Sequence, residues 1–135
     1  MKVAFVGATR GMGRALARGL AERGDALFLL GRDPREMDLS PRDLESRGAA
    51  GPVRHAPLDL ARPEGFAEAL AAADRALARM DALVVTGGAF SSQDDLAQDP
   101  ARLAALLHAN STGTALLCQQ AAERLAAAGG GLICA

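Results

Sequence analysis

The sequence alternates between short apolar runs and longer stretches in which apolar residues recur every three or four positions. Residues 3–6, 26–30 and 82–85 are unbroken apolar runs, which are typical of strands buried on both faces. A weaker run covers residues 53–58, and a last one begins at 132 and reaches 135. Five strands are therefore predicted, and burial on both faces favours a parallel sheet.

Helical periodicity fills the first of the intervals between these strands. Gly13, Leu16, Ala17 and Leu20 fall on one face of a predicted helix, and Gly24 is placed to end it. The second interval is less regular. Asp33 and Ser40 each precede a proline, as N-cap residues often do, so an irregular crossover or two short helices are expected there.

The third and fourth intervals also predict helices. From residue 63 onward, the expected buried stripe consists of Phe66, Leu70, Ala73, Leu77 and Met80. A long helix is predicted to open at 99–100 and to run to the glycines at 129–131. Asn110 and Gly113, which are poor helix formers, interrupt it.

Together these elements give the order βαβαβαβαβ. Right-handed crossovers then lead to an α/β fold, a Rossmann-like doubly wound parallel sheet with the strand order 3-2-1-4-5. At 135 residues the chain is expected to form one domain, 1–135. Because the pattern stops at the fifth strand, the domain is expected to be incomplete at its C-terminus.

Composition narrows the possible partners and location. The 15 basic and 16 acidic residues give a net charge of −1, which argues against nucleic-acid and membrane binding. Cys118 and Cys134 show no metal-ligand or disulfide spacing, so no metal site is predicted and a reducing cytoplasm is expected. The N-terminal segment has glycines within its apolar stretch and is not typical of a signal peptide.

The most informative segment is the glycine-rich loop between the first strand and the first helix. Its spacing is Gly-x3-Gly-x-Gly, and no lysine follows as in nucleoside-triphosphate loops. Glycines at such a turn let a pyrophosphate approach the free N–H groups of the helix N-terminus. The predicted cofactor-binding residues of this loop are Gly7, Thr9, Arg10, Gly11, Met12 and Gly13.

This loop and three later segments resemble the short-chain dehydrogenase/reductase family. The resemblance implies that Asp59 and Leu60, after the third strand, meet the adenine of the cofactor. It also implies that Gly87 and Gly88 lie beside the cofactor, although the family's Asn-Asn-Ala-Gly stretch reads Val-Thr-Gly-Gly here. Asn110 matches the asparagine of the family's catalytic tetrad. Taken singly, Asp59 also suits a turn or cap, and Asn110 a helix kink.

The arginines indicate which dinucleotide is preferred. NAD-binding sites usually carry a carboxylate at the end of the second strand, whereas a 2′-phosphate requires arginine. Here Gly31 and Arg32 follow that strand, and Arg10 lies in the glycine loop. Such a basic pair likewise implies NADPH in the family. NADP(H) is therefore predicted over NAD(H). The alternatives are that both arginines are simply solvated, or that Asp33 pairs with Arg32 and neutralises its charge.

The family's proton chemistry is missing from this sequence. The resemblance implies a Ser after the fifth strand and then a Tyr and a Lys four residues apart. The chain has no Tyr, and its only Lys is Lys2. His108 is expected to face away from Asn110, about 200° around the helix. Cys134 is expected to be buried, His55 in the third strand to be structural, and Ser91 and Ser92 to be ordinary loop or cap residues.

Two functions are consistent with these features, and a degenerate remnant that binds no cofactor is the remaining alternative. The first is the NADP(H)-binding portion of an oxidoreductase that transfers hydride between NADPH and a small carbonyl or alcohol substrate, although the chain alone is expected to be inactive. The second is a non-catalytic dinucleotide-binding module or redox-responsive regulator. In both cases the apolar edge of the fifth strand is expected to be covered by a partner, a second copy or a missing C-terminal half. A homo-oligomer or another association through this edge is therefore predicted.

Overall fold

A five-stranded parallel sheet forms the centre of the molecule, with the strand order 3-2-1-4-5. The computed structural model describes residues 1–135. Its strands are β1 Lys2–Val6, β2 Ala26–Gly31, β3 Arg54–Pro57, β4 Ala82–Val85 and β5 Leu132–Cys134. The predicted fold class, strand number and order are all confirmed. The strands after β1 are added first on one side of it and then, from β4, on the other side. Doubly wound sheets bind their ligands at this switch between β1 and β4.

Helices cover both faces of the sheet. They are α1 Gly11–Glu22, α2 Pro34–Ser46, α3 Phe66–Leu77, α4 Gln93–Gln98, α5 Pro100–Leu107 and α6 Thr114–Ala127. A short 3₁₀ turn, Pro63–Gly65, precedes α3, and a π-helical segment, His108–Gly113, joins α5 to α6. The interruption predicted around Asn110 and Gly113 is thus this π-helical segment. None of the helices combines the length and apolar composition that a membrane crossing requires.

The alternation of side chains along the strands divides the core into two layers. In β1, Ala4 and Val6 face the layer formed with α3 and α6, which contains Phe66. Val3 and Phe5 point to the opposite layer, formed with α1 and α2. The apolar runs are therefore continuous because both faces of the inner strands are covered.

The second crossover differs from its prediction, because α2 is a single helix with Pro41 inside it. Asp33 caps it as expected, accepting hydrogen bonds from the backbone of residues 35 and 36. Ser40 is not a second cap, since its hydroxyl donates to the Glu36 carbonyl at 2.7 Å. The helix continues because Met37 and Leu44, seven residues apart, are buried on one face.

The buried face of α1 also differs from the expected stripe. Gly13, Ala17 and Ala21 are buried, whereas Leu16 is 42% exposed. Small residues face the sheet because α1 lies very close to the loop that follows β1. Gly24 ends the helix in a left-handed conformation, φ +81°, as predicted.

The two edges of the sheet have different surfaces. On β3, Arg54 and His55 are exposed and Pro57 removes one backbone donor, which are features that discourage further pairing. On β5, Leu132 is 52% exposed and Cys134 is exposed. The prediction that Cys134 is buried is therefore wrong, because β5 is an edge strand in this structure.

Candidate functional site

A cleft of about 830 Å³ opens at the carboxyl edge of the sheet, above the switch between β1 and β4. Its walls are the loops that follow β1, β2, β3 and β4, together with Ala109 from the π-helical segment. Eight of the predicted cofactor-binding residues line it: Gly7, Thr9, Arg10, Arg32, Asp59, Leu60, Gly87 and Gly88. Gly11 and Met12 begin α1 beside it, and both are exposed.

The glycine loop allows an unusually close approach between α1, β1 and β4. A Cβ atom on Gly13 would lie 2.1 Å from the Gly7 carbonyl oxygen and 2.4 Å from the Thr86 hydroxyl. Gly7 adopts φ +89°, and a Cβ there would lie 2.3 Å from the Gly87 nitrogen. Both positions thus require glycine. Gly13 lacks space for a side chain, and Gly7 lacks space and also adopts a backbone conformation that favours glycine.

The N-terminus of α1 is open toward this loop. Its N-cap residue, Arg10, makes no side-chain hydrogen bond to the first-turn amides, and no acidic residue lies in that turn. By contrast, Asp33, Ser92 and Asp99 cap α2, α4 and α5 with side-chain oxygens. The free N–H groups and the positive end of the helix dipole therefore remain available to an anion.

An arginine that the sequence pattern does not single out holds the outer side of the loop. Arg14 donates from Nε to the Thr9 carbonyl at 2.6 Å and from its guanidinium to Glu36 at 3.1 Å. Arg10 lies 3.5 Å from Asp33 and 3.6 Å from the same Glu36. These ion pairs connect the glycine loop to the start of α2, a connection that only the folded chain shows.

The end of β2 lacks the carboxylate that NAD-binding sites usually carry there, because residue 31 is glycine. A Cβ on Gly31 would lie 2.8 Å from the sulfur of Met37, a buried residue of α2. The next residue, Arg32, is exposed and lines the cleft. Asp33 pairs with Arg10 and caps α2, and it forms no salt bridge with Arg32.

Asp59 forms a turn and also lines the cleft. Its Oδ1 accepts a hydrogen bond from the Ala61 N–H at 3.0 Å, so it forms an Asx turn after β3. It is only partly exposed and also lines the cleft next to the buried Leu60. The turn therefore holds Asp59 in place at the side of the cleft that borders β2.

The loop after β4 is held from two sides. Thr86 donates its hydroxyl toward the carbonyls of Val6 and Gly7, each at 3.3 Å. Asn110 accepts from the Ala89 N–H at 2.7 Å and donates to the Ala89 carbonyl at 2.8 Å. Thr86 thus bonds β4 to β1 at the position where the family has asparagine.

The other candidates from the sequence lie outside this arrangement. His108 is exposed at the start of the π-helical segment, while Ser92 caps α4 and Ser91 lies 3.4 Å from Asp95. His55, on β3, has its Nε2 3.2 Å from Asp38. Burial raises the pKa of the Cys118 thiol above its ordinary value, which disfavours the thiolate form.

The arrangement fits a dinucleotide. The glycine positions that a Cβ would fill, the uncapped amides of α1 and the small residues after β4 provide space and donors for a pyrophosphate at the switch point. Arg32 and Asp59 lie farther along the cleft, where β2 and β3 end. The residues that would hold the cofactor are therefore contributed by four successive loops.

Comparison with known proteins agrees with this geometry. The profile of the short chain dehydrogenase family matches residues 2–135. A short-chain type dehydrogenase/reductase from Mycobacterium ulcerans is 26% identical, with a TM-score of 0.88 over 97% of this chain and 48% of its own. No curated protein matches the sequence significantly.

Two solved structures of lower sequence identity share the fold and hold different cofactors. An L-sorbose reductase from Gluconobacter frateurii, complexed with NADPH and L-sorbose, is 24% identical, with a TM-score of 0.84 over 98% of this chain and 50% of its own. An NADH-dependent reductase complexed with NAD is 20% identical, with a TM-score of 0.79 over 97% and 56%. The chain therefore spans about half the length of these solved structures.

The fold, the glycine loop and the profile match define the class. This chain belongs to the short-chain dehydrogenase/reductase family, whose oxidoreductases use nicotinamide cofactors. The predicted family resemblance is confirmed over essentially the whole chain.

Proposed function

We propose that this chain is the NADP(H)-binding portion of a short-chain dehydrogenase/reductase that transfers hydride between NADPH and a small carbonyl or alcohol substrate. Family membership and the cleft at the switch point support dinucleotide binding. The preference for NADP(H) rests on the residues at the end of β2.

The observation that carries this preference is the pair Gly31 and Arg32. Gly31 contributes no carboxylate to bind a ribose 2′-hydroxyl, and Met37 occupies the space where a side chain would begin. Arg32 is exposed at the cleft, and no carboxylate oxygen lies within 4.0 Å of its guanidinium. An arginine without a partner can form charge-assisted hydrogen bonds with a 2′-phosphate.

The chain's own residues would bind and orient the cofactor, which supplies the hydride when bound. The first-turn amides of α1 would face its pyrophosphate, and Gly87 and Gly88 would leave room beside it. Carbonyl reduction also needs a proton donor. Lys2 cannot assist, because it lies at the amino end of β1, whereas the cleft lies at the carboxyl ends of the strands. Its ammonium group donates to the Ala78 carbonyl at 3.2 Å. We therefore propose that the donor lies outside these 135 residues.

The test is a titration of the 135-residue chain with NADPH and NADH, followed by the emission of the bound nicotinamide. Because the chain has no Trp and no Tyr, calorimetry should accompany the emission measurement. NADPH is expected to bind about tenfold more tightly than NADH. Arg32→Ala should remove most of this difference, whereas Arg75→Ala, an exposed arginine in the last turn of α3, should preserve it. Equal or reversed affinities of the unchanged protein would contradict the proposal.

A second candidate is a non-catalytic dinucleotide-binding module, which the absence of Tyr favours. Both candidates predict NADPH binding, so turnover separates them. The first expects oxidation of NADPH by carbonyl compounds only when the family's Ser, Tyr and Lys are supplied by further residues. The second expects binding without turnover in every form of the protein.

We also propose that the chain self-associates through the free edge of β5. The support for this is the half-exposed Leu132 on an edge strand that carries no charge or proline. Light scattering after size exclusion should show a dimer or larger species. Leu132→Lys should shift the protein toward the monomer, and a monomer at about 100 μM for the unchanged chain, far above a micromolar dissociation constant, would contradict the proposal.

A further inference from the structure

A smaller groove of about 380 Å³ opens from the cleft where β3 ends. It shares Arg32, Leu58 and Asp59 with the main cleft, so the two spaces are continuous. Its far wall adds Arg62 and Glu64. The sequence pattern gives no indication of Arg62, since nothing in it places this residue near the end of β2.

The backbone of Arg62 is held on both sides. Its N–H donates to the Asp59 carbonyl at 2.9 Å, closing a turn that the Asp59 side chain also stabilises through Ala61. Its carbonyl accepts from Gly65 at 3.2 Å, at the start of the 3₁₀ turn that leads into α3. The side chain therefore leaves the backbone from a fixed point on the groove wall.

The charges around the cleft distinguish its arginines. Arg10 lies within 3.6 Å of both Asp33 and Glu36, which compensate its charge. Arg62 and Arg32 are both exposed, and neither has a carboxylate oxygen within 4.0 Å of its guanidinium. Asp59 and Glu64 line the same groove, but they form no salt bridge with either arginine. The groove is thus lined by two arginines whose side chains form no hydrogen bond or salt bridge within the chain.

We propose that Arg62 and Arg32 together form the subsite for the 2′-phosphate of NADPH. This inference rests on the proposed function, and it adds a specificity-determining residue to it. A phosphate monoester carries close to two negative charges at neutral pH and accepts several hydrogen bonds, which suits two arginines better than one. Arg10, already paired with carboxylates of α2, then contributes less to phosphate recognition than Arg32 and Arg62.

The experiment compares four ligands on the full 135-residue chain by calorimetry: NADPH, NADH, adenosine 2′,5′-bisphosphate and AMP. Arg62→Ala should weaken NADPH and the bisphosphate by about tenfold, the effect of losing a charged hydrogen bond. It should leave NADH and AMP almost unchanged. Arg62→Lys keeps the charge but loses the paired donors, so its affinity for NADPH should lie between those of the unchanged protein and Arg62→Ala. Arg75→Ala is the matched control, and each variant's melting temperature confirms folding.

Three results would overturn the inference. Arg62→Ala could behave like Arg75→Ala with NADPH, or it could weaken NADH as much as NADPH, which would indicate contact with the adenine or a structural role. If Arg10→Ala weakened the bisphosphate more than Arg62→Ala, the arginine of the glycine loop would be the phosphate ligand instead. Failure of the proposed function looks different, because the unchanged protein would then bind NADPH no better than NADH.

Discussion

The side-chain amide of Asn110 forms two hydrogen bonds with the backbone of Ala89, one to its N–H at 2.7 Å and one to its carbonyl at 2.8 Å. This pair joins the π-helical segment to the loop that carries Gly87 and Gly88. Both polar atoms of the side chain are engaged, so the side chain positions the loop. Its assignment to a catalytic tetrad, carried over from the family, stays a prediction.

Replacing Asn110 should loosen this loop. Asn110→Ala removes both hydrogen bonds, and because they are solvent-exposed we expect the free energy of unfolding to fall by only about 1 kcal/mol. NADPH binding should weaken severalfold, since the loop lines the cleft. Urea denaturation and calorimetry measure the two effects. Ser111→Ala, at the next exposed residue, should change neither, and an Asn110→Ala protein with wild-type affinity would show that the loop is held without this contact.

The contact between Gly13 and Gly7 predicts a severe effect of a single methyl group. Gly13→Ala places a Cβ 2.1 Å from the Gly7 carbonyl, so α1 must move away from β1. We expect a loss of about 1–3 kcal/mol in unfolding free energy and a loss of dinucleotide binding. Urea denaturation and calorimetry with NADPH measure both losses.

Gly19 provides the matched control on the same helix. It is exposed, and no heavy atom lies within 4 Å of the point that a Cβ would occupy. Gly19→Ala should therefore stabilise the protein by about 0.5–1 kcal/mol and leave binding intact. Equal behaviour of the two variants would contradict the close approach of α1 to β1.

Thr86 offers a test by near-isosteric replacement. Thr86→Val keeps the volume but removes the hydroxyl that bonds to the Val6 and Gly7 carbonyls, so we expect a loss of about 1 kcal/mol in unfolding free energy and weaker NADPH binding. Thr86→Ser keeps the hydroxyl and should bind like the unchanged protein. If Thr86→Val binds like the unchanged protein while Thr86→Ser loses affinity, the methyl group and not the hydroxyl is what matters at this position.

Asp25 predicts how stability depends on pH. It is the only buried charged residue, and it accepts hydrogen bonds from the Met1 ammonium and from Arg23. Burial alone would raise the pKa of Asp25, but these hydrogen bonds and positive charges outweigh it and hold the pKa below 3.8. The stabilisation is therefore complete above about pH 4 and is lost as the pH falls through the lowered pKa.

Asp25→Asn isolates this contribution. At pH 7 we expect a loss of about 2 kcal/mol, because the partly exposed Arg23 and the terminal ammonium lose a buried charged partner. The difference from the unchanged protein should shrink below about pH 4. Urea denaturation at several pH values measures it, with the exposed Glu123→Gln as the control. A difference that stays constant from about pH 7 to about pH 3 would show that Asp25 contributes no charge interaction.

The fold was predictable because its strands are continuous apolar runs and its helices are amphipathic. A continuous apolar run indicates a strand that is buried on both faces, however the helices pack against the sheet. The exposed edges were less clear: β3 is shorter than expected, and Cys134 is exposed. Helix α4 was missed, since its six residues bury nothing. The single α2 also escaped prediction, because two local cap signals competed with the burial of Met37 and Leu44.

The candidate site was predictable only where local chain geometry determines it. Glycine spacing identifies the loop after β1, because the turn itself requires those residues. Arg14, Thr86 and Arg62 are different, since their positions depend on contacts between loops far apart in the sequence. An arginine gives no local signal of whether a carboxylate will face it after folding. The pairing of Arg10 and the freedom of Arg32 were therefore visible only in three dimensions.

The absence of any buried residue in α4 and α5 has a dynamic consequence. Segments that bury little apolar surface unfold locally at low free energy, so their amide hydrogens should exchange with solvent far faster than those of β1, β2 and β4. The two helices between Phe90 and the π-helical segment should thus open and close without disturbing the sheet, and a molecule that packs against them would slow that exchange.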